Sequence, residues 1–227
     1  MKYKLLVLDV DGTLLNDEKE ITPRTLATLL KVQQMGVHIV LASGRPTYGI
    51  LPLAKKLELG NYGGYILSYN GAQVINAKNG EVLLERRINP EMLPYLEKKA
   101  RKNGFAIFTY TEDRMIADQA DNEHILQEAF LNRMELIEEP EFSVAVDFAP
   151  SKCMLVSDDE EALIGLEEHW KKRLNGVARC IPVGTLFPGS PAMLALTNQL
   201  RWEPCFPIWI SLRKKSLLSV MAFAMFP

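Results

Sequence analysis

The chain has 227 residues, 48% of them hydrophobic and 24% charged, with a formal net charge of −2. This is the make-up of a globular chain with room for one large or two modest domains, and it leaves no basic footprint for nucleic acid or an anionic membrane surface. Cys153, Cys180 and Cys205 are odd in number and widely spaced, which argues against a disulfide framework or a zinc knuckle.

Met1-Lys2 runs straight into the first apolar stretch, so no signal peptide is expected. No apolar run reaches membrane-spanning length, and the cytoplasm is the expected compartment.

Leu5 to Leu8 form a short aliphatic run, rich enough to predict a buried central strand. Asp9 and Asp11 stand where that strand ends, followed by Gly12 and Thr13. Ligands of open parallel sheets bind outside the carboxyl ends of the strands. Two carboxylates there can serve one phosphate and one metal ion, with Gly12 letting the backbone come close. A calcium loop of the EF-hand kind is excluded. It needs a ligand where Thr13 stands, Gly where Leu14 stands and a helix where Tyr3 to Leu8 read as strand.

Thr22-Pro23 predicts a helix start, with Leu26, Leu29, Leu30 and Val32 as its apolar face. Val37 to Ala42 reads as a second buried strand, and Ser43-Gly44-Arg45 follows it. A strand–helix–strand unit crosses over right-handedly, which brings Ser43 beside Asp9. The Ser43 hydroxyl, nearby N–H groups and the start of the helix after Pro46 can then bind phosphate oxygens. His38 lies inside the apolar run and is expected to pack in the core; His124 and His169 are expected on the surface. Tyr48 to Leu57 predicts the next helix and Tyr65 to Ser68 a third strand, ending in Asn70-Gly71-Ala72. Asn-Gly by itself signals a hairpin turn.

From about Glu81 the texture changes. Strands are expected at Val82–Leu84, Arg87–Ile88, Phe105–Tyr110, Met115–Ala117, Ser143–Phe148 and Cys153–Val156. Helices are expected from Asn89-Pro90 to Asn103, from His124 to Arg133, and from an acidic turn after Ser157 to Asn175.

An apolar strand followed by D-x-D-G-T-L, with S-G-R at the next strand end, resembles the haloacid dehalogenase-like hydrolases. The strand ending in N-G-A is similar to their Cof-like subgroup. The resemblance implies an α/β fold: a doubly wound parallel-sheet (Rossmann-like) core over residues 1–80 and an inserted α/β cap over residues 81–180. It implies Asp9 as nucleophile, forming an aspartyl-phosphate, and Asp11 as general acid and base; a carboxylate pair suits both roles. It further implies Mg²⁺ held by the Asp9 carboxylate and the Asp11 main-chain carbonyl. Val10, Gly12, Ser43, Gly44, Arg45 and Asn70 are the implied substrate-binding residues. The implied substrate is a small phosphorylated metabolite, with sugar phosphates first among them and no nucleic-acid or membrane partner. A phosphomutase is possible within the same chemistry, and nothing in the sequence specifies an oligomeric state.

The resemblance is carried to about residue 178 and then breaks. Residues 181–227 form an atypical tail: the Lys and the G-D-G-x-x-D loop of the family's remaining motifs are missing. One reading is a divergent tail, and then the chain is inactive or a degenerate phosphate-binding protein. The other is a scrambled reading frame: codons for Ser216 to Pro227, moved by one base, can spell Ile-Gly-Asp-Gly-Phe-Cys-Asp. In the same way those for Leu194 to Asn198 can spell Gly-Ile-Asp-Lys, and Arg179 to Ser190, shifted oppositely, a strand leaving the cap.

Overall fold

The computed structural model describes residues 3–173, 179–183 and 192–197, and the chain divides into two compact units that meet in sequence at Glu85 and Arg86. In the first unit the order is β1 (Leu5–Asp9), α1 (Pro23–Gln34), β2 (His38–Ala42), α2 (Thr47–Lys56), a short α3 (Leu59–Tyr62), β3 (Tyr65–Ser68), β4 (Gln73–Asn76) and β5 (Val82–Glu85). The Thr22 hydroxyl accepts from Thr25 N at 3.2 Å and Pro23 follows as the first helical residue, which starts α1 where the sequence predicts.

The five strands lie in sequence order, parallel from β1 to β3 and antiparallel at β4 and β5. Two successive right-handed crossovers put α1 and α2 on one face. There Leu29, Ile50 and Ala54 close over Ile39, Leu41 and Ile66. Val40, Ala42, Leu67 and Val74 form a smaller buried cluster on the other face.

Three expectations are corrected here. β1 is half-buried rather than a buried central strand, and among the described residues it pairs only with β2. His38 is exposed: it is the first residue of β2, and its Nδ1 lies 2.8 Å from Tyr62 O instead of in the core. Val82–Glu85 was assigned to the second domain, yet it pairs with β4 and completes the first sheet, because its ladder partners are Gln73, Val74 and Ile75.

The second unit contains α4 (Leu93–Asn103), β6 (Ala106–Tyr110), β7 (Arg114–Ala117), α5 (Glu123–Asn132), β8 (Glu135–Glu138), α6 (Phe142–Ala145), β9 (Lys152–Ser157), α7 (Glu160–Arg173), β10 (Arg179–Val183) and β11 (Ala192–Thr197). Its sheet order is β10-β11-β9-β6-β7-β8. One face carries a core in which Leu93, Leu96, Phe105, Phe142, Trp170 and Leu196 are each no more than 1% exposed.

The segment Ser143 to Phe148, read as a strand, begins instead with the helical turn α6. Glu97 on α4 accepts from Ser143 N at 3.0 Å and fixes that turn. Arg87–Ile88 is likewise not a strand; Ile88 N donates to Pro150 O at 2.7 Å within the second unit. The helix after Ser157 is capped by Asp159, whose Oδ1 accepts from Ala162 N at 2.9 Å. His169 is exposed as expected, while His124 is only 21% exposed and lies 2.7 Å from Asp158 Oδ1. β8 was not foreseen.

β10 and β11 belong to the second sheet in the frame as written. Leu194 and Leu196 are 1% and 0% exposed in its core. The reading of Ser216 to Pro227 lies outside the described residues.

Lys152, only 2% exposed, opens β9 with its Nζ 5.8 Å from the centre of the Tyr110 ring. The Tyr110 hydroxyl and Asn132 Nδ2 both donate to Glu128 Oε1 at 2.9 Å. Burial pushes the Lys152 amine down to about 8, against the pull of the Glu128 charge. The unfolded amine titrates near 10.5, so the folded state carries the full cost below pH 8 and sheds it as pH rises from about 8 to about 10.5. Lys152→Met should therefore raise stability at pH 7 by about 1–3 kcal/mol, and the advantage should shrink toward pH 10. Urea denaturation of both chains across that range checks it.

Candidate active site

The site is built by strand register. Asp9 pairs with Ala42, and Ala42 with Leu67, so the carboxyl ends of β1, β2 and β3 finish level. The three following segments then meet at that edge. Leu15 N donates to Val10 O at 3.0 Å and closes the first turn, with Gly12 at φ 73°, a conformation that suits glycine.

The Ser43–Arg45 segment is held from several sides. Ser43 N donates to Leu67 O at 2.9 Å, and Asn70 N and Tyr69 N donate to Ser43 O and Arg45 O at 3.1 and 2.9 Å. The Ser43 hydroxyl accepts from Arg45 N at 3.1 Å. Asn70 joins the group from a hairpin between β3 and β4, whose loop is longer than the two-residue Asn-Gly turn and has Tyr69 and Asn70 both left-handed, at φ 52° and 57°. Its Oδ1 is enclosed and meets no donor among the described residues. A Cβ on Gly44 would stand only 3.1 Å from Asn70 Nδ2, so any side chain there would have to push the Asn70 amide aside. Pro46 at the N-cap of α2 offers no side-chain acceptor to the first turn.

The two acids differ in charge environment. Burial raises the Asp9 carboxyl to about 6; the Val10 N–H and Arg45 partly offset it, while the neighbouring Asp11 charge adds to it. Asp11 also suffers burial, but the hydrogen bonds and charge of Arg45, with help from Lys19, outweigh that and hold it below its usual value. Arg45 grips Asp11 with both arms of its fork, Nε to Oδ2 at 2.8 Å and Nη2 to Oδ1 at 2.7 Å. Lys19 Nζ adds a 3.4 Å contact to Oδ1. As it stands, Asp11 is an acceptor only, and no cation pairs with Asp9 among the described residues.

Asp9, Val10, Asp11, Gly12, Ser43, Gly44, Arg45 and Asn70 thus gather at one sheet edge. Lys19 was not singled out, and its only signal was a lone cation in the Asn16–Glu20 turn that its own backbone closes.

A family model described as haloacid dehalogenase-like hydrolase matches residues 6–199, and the chain belongs to that family. The match runs past residue 178, through β10 and β11. A crystal structure of a haloacid dehalogenase-like hydrolase from Bacteroides thetaiotaomicron is 39% identical, with a TM-score of 0.76, covering 86% of this chain and 71% of that one. A protein of Streptococcus pyogenes named as a phosphatase is 33% identical over 50% of this chain and 42% of its own length. Another so named, from Haemophilus influenzae, is 26% identical over 79% of this chain and 66% of its own. The chain spans between about a third and a half of the length of the first curated relatives it matches. No helix among the described residues is long and apolar enough to cross a membrane.

The contact at Gly44 gives a test of the site's packing. Gly44→Ala should cost about 1–2 kcal/mol through the clash with Asn70, and Asn70→Gly in the same chain should restore most of it. Denaturant titration of the double-mutant cycle reads the coupling.

Proposed function

We propose that the chain is a phosphatase of small phosphorylated metabolites, sugar phosphates first among them, acting through a phosphoryl group carried on Asp9. The observation that carries the reading is the pair of acids at one strand end. Among the described residues no cation pairs with Asp9, whereas Asp11 is held by two. Membership of the haloacid dehalogenase-like family supports it, as do relatives named as phosphatases. The second unit, Arg86–Gln199, is on this reading the inserted α/β cap.

An Asp9 oxygen attacks phosphorus in line while the bond to the leaving alcohol breaks, and Asp11 gives that oxygen its proton. Water then attacks the phosphorus of the aspartyl-phosphate and yields a proton to Asp11; inorganic phosphate leaves and Asp9 is restored. Phosphoryl transfer asks mainly for positioning and charge neutralisation. Ser43, the N–H groups of Val10, Gly12 and Gly44, and Arg45 supply these, and Asn70 faces the entrance. For Asp11 to act as an acid, Arg45 must leave it, and the incoming phosphate is the stronger partner for a guanidinium fork.

Mg²⁺ fits the donor set. It takes hard oxygens, one or two carboxylates with substrate phosphate and waters. Asp9 offers such a carboxylate with no competing cation among the described residues, and Asp11 its main-chain carbonyl. Among the described residues no group of three His, Cys, Asp or Glu gathers, so other ligands are waters, phosphate oxygens or residues beyond the described ones. When bound, the ion would neutralise charge on the phosphoryl oxygens.

Asp9→Asn should abolish release of inorganic phosphate from p-nitrophenyl phosphate without unfolding the chain. Asp11→Asn should lower kcat by about 10²–10³ with KM nearly unchanged, since its proton matters only in the transition state. Phosphate release as fast in Asp9→Asn as in the parent would rule the mechanism out. Transfer to a second sugar without free phosphate would assign a mutase instead.

A further inference from the structure

A second polar chain lies at the same carboxyl edge, outside the residues assigned so far. Ser68, Gln73 and Glu85 are cross-strand partners on β3, β4 and β5, and they continue the row that holds Asp9, Ala42 and Leu67 one step further out. Thr47, the first residue of α2, stands over this row. Its hydroxyl donates to Gln73 Oε1 at 2.5 Å and lies 2.6 Å from Ser68 Oγ. Gln73 Nε2 donates to Glu85 Oε1 at 3.0 Å.

The direction of every proton follows. Thr47 has a single hydroxyl proton and gives it to Gln73, so Ser68 must donate to Thr47. Ser68 is fully buried and its alternative acceptor, Gln73 Oε1, is more distant at 3.4 Å. The chain therefore runs hydroxyl, hydroxyl, amide, carboxylate, and it ends on Glu85, the last residue of β5. Bonds aligned in one direction polarise one another, and the carboxylate end strengthens the whole. Gln73 is the one member that needs both a carbonyl and an amide at once.

Thr47 closes the segment that begins at Ser43. Backbone bonds from Tyr69 and Asn70 hold that segment from the β3 side, and Pro46 leaves the helix start without a side-chain cap. The Thr47 hydroxyl anchors the end of the segment a second time on that side, to Ser68 and Gln73. We infer that Gln73 is a positioning residue for phosphate binding: it seats Thr47, and with it the Ser43–Arg45 turn, by tying them to Glu85. The inference rests on the phosphatase reading of that turn, and it predicts that loss of the tie loosens the turn's grip on phosphate while the fold persists.

The test uses the full chain and inorganic phosphate as probe, titrated by calorimetry with Mg²⁺ present, beside kinetics on p-nitrophenyl phosphate. Gln73→Leu and Thr47→Val should each weaken phosphate binding about tenfold and raise KM by a similar factor, with kcat changed much less. Gln73→Glu should do the same by setting two carboxylates together, and adding Glu85→Gln should restore affinity by re-creating the donor–acceptor pair in reverse. A merely structural role would lower the melting temperature and leave KM and phosphate affinity of the folded chain alone. Phosphate affinity within twofold of the parent in both single variants, or no rescue in the Gln73→Glu/Glu85→Gln chain, would overturn the inference. A parent that binds phosphate but releases none from any ester would count against the phosphatase reading only, and the phosphate titrations would still decide Gln73. A parent that binds no phosphate would overturn both.

Discussion

The level ending of three parallel strands is the constraint on which the rest depends. Asp9, Ala42 and Leu67 lie in one row of the ladder, so whatever follows each of them must emerge at the same edge. A slip of one residue would turn every side chain to the opposite face of the sheet. Register is fixed because both faces are buried: Ile39, Leu41 and Ile66 have to meet α1 and α2 on one side, and Val40, Ala42 and Leu67 their own cluster on the other. Apolar packing along the strands thus places polar chemistry at their ends.

At that edge the same backbone step creates two unlike acids. Asp9 ends the strand and loses water, pairs with no cation among the described residues, and its carboxyl rises to about 6. Asp11, beyond the turn, meets the fork of Arg45 and the ammonium of Lys19, and it falls below its usual value. Neighbouring titratable groups driven apart by their surroundings are a common mark of divided acid and base roles. Here the division also sets a condition, because Arg45 serves both as the holder of Asp11 and as a candidate ligand of phosphate.

The second unit follows a different logic. Its sheet buries one face against α4 and α7 around Trp170 and Phe105. Lys152 is a costly buried group, enclosed beside Tyr110 and Glu128. Glu97 is a cheaper one, since its carboxylate fixes a helical turn by accepting from Ser143 N.

Local signals in the sequence determined a good deal. The aliphatic runs and the Thr22-Pro23 start foretold β1, α1, β2, α2 and β3, and D-x-D-G-T with S-G-R located the acids and the turn beside them, because these depend on residues adjacent in the chain. The sequence did not show that Val82–Glu85 joins the first sheet or that β11 joins the second, since a strand's partner is chosen by residues far away in the chain. It misread Ser143 to Phe148 as a strand, because a carboxylate from Glu97, distant in sequence, fixes the helical turn Phe142–Ala145. It also placed His38 in the core when only its neighbours are buried. Tertiary structure alone decided that Arg45 grips Asp11 and that Thr47, Gln73 and Glu85 form one chain. Such contacts depend on three-dimensional register and direction, which one-dimensional spacing does not carry.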